Sequence, residues 1–286
     1  MRGVKPIAAG NPRATMTTAH RTVHEVTAGR NFERFARAGY VARGVLYILM
    51  GVLAIELARG EASDRPNQEG AFRLVAEQTF GRALLVLIAI GLLGYTALRF
   101  TQAFMGRTPE AGRHGAGERI SAFASGCAYA IFFALAISVL VGSAGGNSGG
   151  EPKQATADIL GWTGGRWLVL GAGIVFAGVA LYQGWMGASR HFLKYTKTER
   201  MSRKGLRNFT VLGVVGHVAR AIVFGLVAIF LIKAAVEYDP KEAVGIDGAL
   251  QRLQDHAYGT VALVAVAVGL IAFGVYSAVD ARYRKI

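Results

Sequence analysis

Six long apolar segments alternate with polar connections along the chain. They lie near residues 38–58, 83–104, 120–142, 166–187, 211–235 and 259–280. Each is about 20 residues long, the length that an α-helix needs to cross the hydrocarbon core of a bilayer. All six prolines lie outside these segments, so no predicted helix is interrupted by a proline. The pattern predicts an all-α, polytopic membrane protein with six transmembrane helices joined by short connections.

The apolar segments belong to copies of one unit. "GYVARGVLYILMGVLAI" from Gly39 recurs as "GHVARAIVFGLVAIFL" from Gly216, and "SAFASGCAYAIFFALAI" from Ser121 aligns with both. Each unit continues through a short amphipathic segment, near 68–79, 153–163 or 246–257, into a second span. A unit of two spans returns to the side on which it began, so all copies share one orientation, and such parallel repeats are related by an axis along the membrane normal. We expect three parallel helix-pair repeats with pseudo-threefold symmetry and short amphipathic outer helices.

The repeat alignment also divides the chain into parts. We place the two-span repeats at residues 32–106, 119–190 and 209–286. Residues 1–31 are polar and aperiodic, which predicts a disordered tail. Two linkers separate the repeats, residues 107–118 and the strongly basic residues 191–208.

Charge along the chain predicts the orientation of the protein. Only 17% of the residues are charged, against about a quarter in soluble domains, and the net charge is +14. Basic residues concentrate in the tail, in the two linkers and at the C-terminus, whereas the alternate connections are neutral or acidic. This is the positive-inside pattern. It predicts a multi-pass protein with cytoplasmic N- and C-termini.

The same distribution indicates the partners. Basic segments beside a membrane are attracted to anionic lipids by about 1 kcal/mol for each residue. We therefore expect the lipid bilayer as a partner, with anionic lipids bound through the basic cytoplasmic segments. A membrane protein is a further possible partner, and we expect no nucleic acid.

Two arginines inside the first spans are the principal candidate site residues. Arg43 and Arg220 occupy the same position in the first and third copies, and Ser125 occupies it in the second. A charge at a helix centre costs about 2.5–3.5 kcal/mol on insertion scales, so each arginine needs an acceptor. Two interpretations remain open. In the first, the arginines have a structural role and either anchor to lipid phosphate or bond one repeat to another. In the second, they contact an anion or substrate on the bundle axis.

Neighbouring side chains extend this candidate set. Tyr47 and Tyr129 follow Arg43 and Ser125 by one helical turn, a spacing that permits a cation–π contact but is also typical of a packed core. Arg99 lies at the cytoplasmic end of a second span, where arginine usually belongs to the interface. These residues are candidate contacts for an anion, a lipid phosphate or another repeat.

Three motifs carry a resemblance to a known family. The segment "GYVARGVLYILMG", the outer-helix pattern "GA(F/L)xxL…G" and the second span "GLLGYTALRFTQA" resemble the bacterial membrane family called domain of unknown function 1206, a two-span module often present in three copies. The resemblance covers about residues 32 to 284. The middle copy departs from it, because Ser125 replaces the arginine and its outer helix lacks the leading Gly-Ala. The resemblance implies this architecture and a bacterial inner (plasma) membrane location, and it implies no activity.

The sequence contains no motif of an enzyme. A P-loop, a nucleophile elbow and a pair of catalytic carboxylates are absent, and His217 is the only histidine within a span. We expect no enzyme, no metal and no cofactor. The function favoured is that of a structural, accessory or envelope-associated membrane protein. The alternative is a small-molecule or anion transporter or channel with a pathway along the pseudo-threefold axis. A dry, filled axis would favour the first and a wet, polar axis the second.

Overall fold

The computed structural model describes residues 30–61, 64–105, 107–108, 112–113, 116–142 and 152–285. Nearly all of the predicted tail, residues 1–31, lies outside this part. Among the described residues, six long helices are each apolar enough to cross a membrane. They are α1 (Arg30–Arg59), α3 (Gly81–Met105), α4 (Ala116–Val141), α6 (Gly165–Ser189), α7 (Arg203–Glu237) and α9 (Gly259–Tyr283). The six predicted spans are confirmed.

In each repeat, one short helix connects the two spans. The three connecting helices are α2 (Gln68–Ala76), α5 (Pro152–Leu160) and α8 (Ile246–Gln254). The side chain of Asn67 caps α2 by accepting from the backbone nitrogen of Gly70. One face of α2 is buried and one face of α8 carries the buried Ala249 and Leu250, so the predicted amphipathic outer helices are confirmed. We call their side of the bundle the outer-helix end, and the side on which α1, α4 and α7 begin the basic end.

Short elements occupy the basic end. The two-residue strands β1 (Arg107–Thr108) and β2 (Gly112–Arg113) pair antiparallel. Two turns of 3₁₀ helix, His191–Tyr195 and Thr198–Arg200, follow α6 at this end, and a third, Pro240–Glu242, follows α7 at the outer-helix end. The helix α7 begins inside the predicted linker 191–208, because Ser202 caps it and polar residues continue the helix beyond the apolar run.

The order in which the spans pack agrees with the predicted threefold pattern. The packing order is α4, α3, α1, α9, α7, α6. The contacts α1–α9, α3–α4 and α6–α7 each join the first span of one repeat to the second span of another. We call these three contacts the repeat seams. They are equivalent by pseudo-threefold symmetry.

The symmetry is broken within the middle repeat. The first and third repeats pack their own spans together, α1 on α3 and α7 on α9, but α4 and α6 make almost no contact along their described lengths. We call this gap the middle-repeat opening. It is bounded at the basic end, where Tyr195 Oη donates to a carboxylate oxygen of Glu118 on α4 (2.6 Å). Burial and this bond raise the pKa of Tyr195 above its ordinary value, so its hydroxyl remains a donor at neutral pH.

Glycines bring the backbones of α1 and α9 into contact. A Cβ atom added to Gly44 would lie 2.7 Å from the carbonyl oxygen of Gly274, and one added to Gly274 would lie 2.5 Å from that of Gly44. Only glycine fits such a crossing, since the obstructing atoms are backbone. The glycine beside Arg43 therefore serves the seam between the first and third repeats.

Candidate functional site

Arg43 joins three helices at the basic half of the bundle. It is only 6% exposed. Its Nε donates to Ser277 Oγ on α9 (2.8 Å) and its Nη1 donates to Tyr95 Oη on α3 (2.8 Å). Ser277 in turn donates to the backbone carbonyl of Tyr40 (2.9 Å). The acceptors of Arg43 are thus protein groups, as expected for a bond between repeats.

Aromatic rings surround the same guanidinium. Its carbon lies 4.7 Å from the ring centroid of Tyr40 and 5.3 Å from those of Tyr95 and Phe273. Rings at this distance stabilise a cation through their π faces. Tyr47, one turn after Arg43, takes no part in this set and lies instead 5.1 Å from Arg220 of the third repeat.

Arg220 makes the equivalent contact at the seam between α6 and α7. Its two terminal amino groups donate to Gln183 Oε1 (2.8 and 2.9 Å), and the amide nitrogen of Gln183 donates to Nδ1 of His217 (2.8 Å). The guanidinium carbon lies 5.2 Å from the ring of Phe224 and 4.4 Å from that of Phe273. Two buried nitrogens at this seam, Arg220 Nε and His217 Nε2, have no hydrogen-bond partner among the residues that the structure describes.

The repeat alignment explains why these contacts match. Arg43, Ser125 and Arg220 share one position in the first spans, and Arg99, Gln183 and Ser277 share one in the second spans. At two seams the first-span arginine bonds the polar residue at the aligned position of the facing helix. At the α3–α4 seam the arginine, Arg99, is on the second span and the aligned first-span residue is Ser125. At these two aligned positions, each repeat seam therefore has one arginine.

Arg99 turns into the bundle. Its Nε and Nη2 donate to Tyr95 Oη (2.9 and 2.6 Å), and its Nη1 donates to Gln102 (3.1 Å). Because Arg43 donates to the same oxygen, two cations share one neutral acceptor. The ring of Tyr129 on α4 packs 4.4 Å from that of Tyr95 and continues the cluster toward the half-buried Ser125. An interfacial position alone does not account for Arg99.

The buried carboxylate of Asp280 did not emerge from the sequence. It is fully buried in the last turns of α9, accepts from Thr196 Oγ1 (3.0 Å) and pairs with Arg284 Nη1 (3.1 Å). The i,i+4 spacing of Asp280 and Arg284 is the feature of the sequence that could have indicated this ion pair. This pair docks the segment after α6 onto the end of α9.

Apolar side chains fill the half of the bundle nearer the outer helices. Those that are at most 1% exposed include Leu46, Met50 and Leu53 of α1, Leu85 and Leu92 of α3, and Leu263 and Leu270 of α9. The polar groups described above are confined to the basic half. Apolar side chains therefore pack these three spans together toward the outer-helix end.

Comparisons with known proteins agree with this architecture. The family model described as Domain of Unknown Function (DUF1206) matches residues 38–106, 120–190 and 215–284, one match for each repeat. The chain is 33% identical over 253 residues to "Uncharacterized protein YxxB" of Bacillus subtilis (strain 168), a match that covers 88% of this chain and 91% of the relative. No solved structure matches. The chain belongs to the Domain of Unknown Function (DUF1206) family, with three copies of its two-span unit.

Proposed function

We propose that the protein lies in a bacterial inner (plasma) membrane with both termini in the cytoplasm. The alternation of basic and acidic connections supports this orientation. The similarity to a protein of Bacillus subtilis supports a bacterial membrane. The basic end then faces the anionic cytoplasmic leaflet, and the outer helices face the opposite side.

Cysteine labelling in intact cells tests the orientation. The chain has one cysteine, Cys127, so Cys127→Ala gives a cysteine-free background. We expect a membrane-impermeant maleimide to label Asn147→Cys in intact cells and Lys204→Cys only after permeabilisation. The reverse accessibility would contradict this topology.

We further propose that the protein is a structural or accessory component of this membrane and not an enzyme. The observation that carries this proposal is the apolar packing of the leucines of α1, α3 and α9 in the half of the bundle nearer the outer helices. In addition, Arg43 is occupied by bonds that hold repeats together. A transporter needs a site that opens alternately to both sides.

Two surfaces suit the partners that such a role requires. The spans α4 and α6 expose large apolar side chains, among them Ile131 (60%), Trp167 (70%) and Leu181 (76%), which can contact lipid or a second membrane protein. The basic segments at the other helix ends suit anionic lipids. No nucleic-acid partner is proposed.

Flux measurements separate the accessory role from the transporter alternative. The purified protein is reconstituted into liposomes loaded with chloride or phosphate. We expect efflux at the rate of protein-free liposomes, because apolar side chains pack the half of the bundle nearer the outer helices. A photoreactive residue at Ile131 or Leu181 is expected to give one discrete protein adduct in intact cells. Efflux above the protein-free rate that Arg220→Gln abolishes would establish the alternative and overturn the accessory role.

A further inference from the structure

The middle-repeat opening follows from a change at the contact that closes the other two repeats. The first and third repeats each pack a glycine of the second span on an alanine of the first span. These pairs are Gly91 with Ala42 and Gly269 with Ala219. At the aligned positions the middle repeat has Val175 and Ala124, and both are exposed. A valine cannot enter a contact that only glycine fits, so α4 and α6 stay apart.

The opening leads to space beside Arg220. The rings of Tyr95 and Phe273 share one position of the second spans and pack beside guanidinium groups of the seams. The aligned residue of α6 is Val179, which is only half-buried and too small to fill the volume of a ring. It lies one turn before Gln183, which holds Arg220. Since the contacts of the half-buried Arg220 lie on the inner face of α7, its accessible surface is turned toward this space.

One polar side chain from each repeat reaches the same space. The ring centroid of Tyr47 on α1 lies 5.1 Å from the guanidinium carbon of Arg220 on α7. The hydroxyl of Tyr129 on α4 is within electrostatic range of both Tyr47 and Arg220. Because α1, α4 and α7 are the first spans of the three repeats, the groups that they bring together lie near the pseudo-threefold axis.

These three side chains have unused hydrogen-bonding capacity. Tyr47 and Tyr129 are each only 6% exposed. Within the described residues, neither hydroxyl makes a hydrogen bond and neither is sealed from solvent. Arg220 directs its two terminal amino groups to one oxygen of Gln183, which leaves an N–H donor on each. The two hydroxyls and the guanidinium therefore form a set of donors that lacks an acceptor.

Charge indicates what kind of acceptor is missing. In the part of the chain that the structure describes, the ion pairs include none with Arg43 or Arg220. The buried carboxylate of Asp280 is paired with Arg284. Arg43 is also within electrostatic range of Tyr129, so two cations act on the space near the axis. Unpaired positive charge within a span is costly, and an anion would lower that cost.

We propose that an oxyanion, a carboxylate or a phosphate, binds near the pseudo-threefold axis between Tyr47, Tyr129 and Arg220. The guanidinium supplies a planar pair of donors that suits both anions, and each phenol hydroxyl supplies one more donor. Arg43 adds positive charge without being a ligand, because its bonds hold α1 to α3 and α9. This site goes beyond the accessory role and does not depend on it.

The anion has two sources, the bilayer and the solution. The opening between α4 and α6 has apolar rims, which include Ala124 and Val175. An amphiphile would enter sideways through this opening, with its acid group at Arg220 and its hydrocarbon chain along the rims. A free ion would enter from the basic end. The two sources share the same oxyanion chemistry at the site.

Thermal melts of the delipidated protein in neutral detergent test for the anion and separate its sources. The probes are oleate, oleyl alcohol and inorganic phosphate. We expect oleate to raise the melting temperature at concentrations at which oleyl alcohol does not, because only oleate carries an acid group. An equal rise with phosphate would assign the site to a free ion, and a rise with oleate alone would assign it to an amphiphile. Equal responses to oleate and oleyl alcohol, or no response to either anion, would overturn the site.

Variants that remove single donors locate the binding. Tyr47→Phe and Tyr129→Phe keep the packed rings, so both should fold, and each should weaken the affinity for oleate or phosphate by about tenfold or more. Arg220→Gln should abolish the response. Tyr40→Phe is the matched control, because this hydroxyl is also unpartnered among the described residues but its ring lies beside Arg284. Wild-type affinity in both Tyr47→Phe and Tyr129→Phe would contradict the site.

Photolabelling of the wild-type protein gives a readout that requires no variant. A fatty acid with a diazirine next to its carboxylate is cross-linked to the protein, and the modified peptides are mapped. Adducts within residues 43–50, 125–132 and 217–224 support the site. Adducts confined to the basic residues 191–208 would mean attraction to the surface alone and would overturn it.

Discussion

Replacing Arg43 by alanine is expected to lower the free energy of unfolding by about 2–4 kcal/mol. The substitution removes the bonds to Ser277 and Tyr95 and leaves a cavity among three aromatic rings. It also removes bonds that join α1 both to the second span of its own repeat and to the second span of another repeat. Reversible unfolding of the purified protein in neutral detergent measures the loss.

Two further variants show that the effect is specific. Arg207→Ala removes an exposed arginine at the basic end of α7 and should change the stability by less than about 0.5 kcal/mol. Arg43→Lys should recover only part of the loss, because one ammonium group cannot reproduce the two-sided fork of a guanidinium. If Arg43→Ala unfolds like the wild type, with and without anionic lipid, the seam contact has no energetic role.

Replacing Gly274 by isoleucine is expected to cost about 3 kcal/mol or more, or to prevent folding. The new side chain would meet the carbonyl oxygen of Gly44 and the backbone of α1, and backbone atoms cannot move aside as a side chain can. Separation of α1 from α9 would also displace Ser277 from Arg43. Yield, monodispersity and melting temperature in detergent report the effect.

Gly171 provides the matched control for this substitution. It lies in the span α6, and a Cβ atom added there would meet nothing within 4 Å. Gly171→Ile should therefore fold and melt close to the wild type. Equal behaviour of Gly274→Ile and Gly171→Ile would show that the close crossing of α1 and α9 is unimportant.

The spans and outer helices were predictable because their signals are local. A run of about 20 apolar residues or one amphipathic face identifies a helix without knowledge of its neighbours. The repeat alignment likewise predicted the threefold pattern of seams. The middle-repeat opening was not predictable, because α4 and α6 are as apolar as the other spans and only their neighbours decide which faces pair.

The candidate site was predicted in position but not in contacts. Arg43 and Ser277 are 234 residues apart, and no local pattern links them. The spacing of Arg43 and Tyr47 permits a contact between them, but the buried ring of Tyr47 lies against Arg220, because α1 and α7 both pack on Phe273. The repeat alignment of Arg99 with Gln183 and Ser277 identifies the second-span position that lies opposite the first-span arginines. Which first-span residue each of these side chains faces follows only from knowing which helices are adjacent.

A double-mutant cycle between Arg43 and Ser277 tests whether an arginine at a repeat seam holds two repeats together. The unfolding free energies of wild type, Arg43→Ala, Ser277→Ala and the double variant are measured in one detergent. If the bond between α1 and α9 stabilises the bundle, the two losses should be less than additive, with a coupling energy of about 1 kcal/mol or more. Additive losses, with no coupling, would contradict the account.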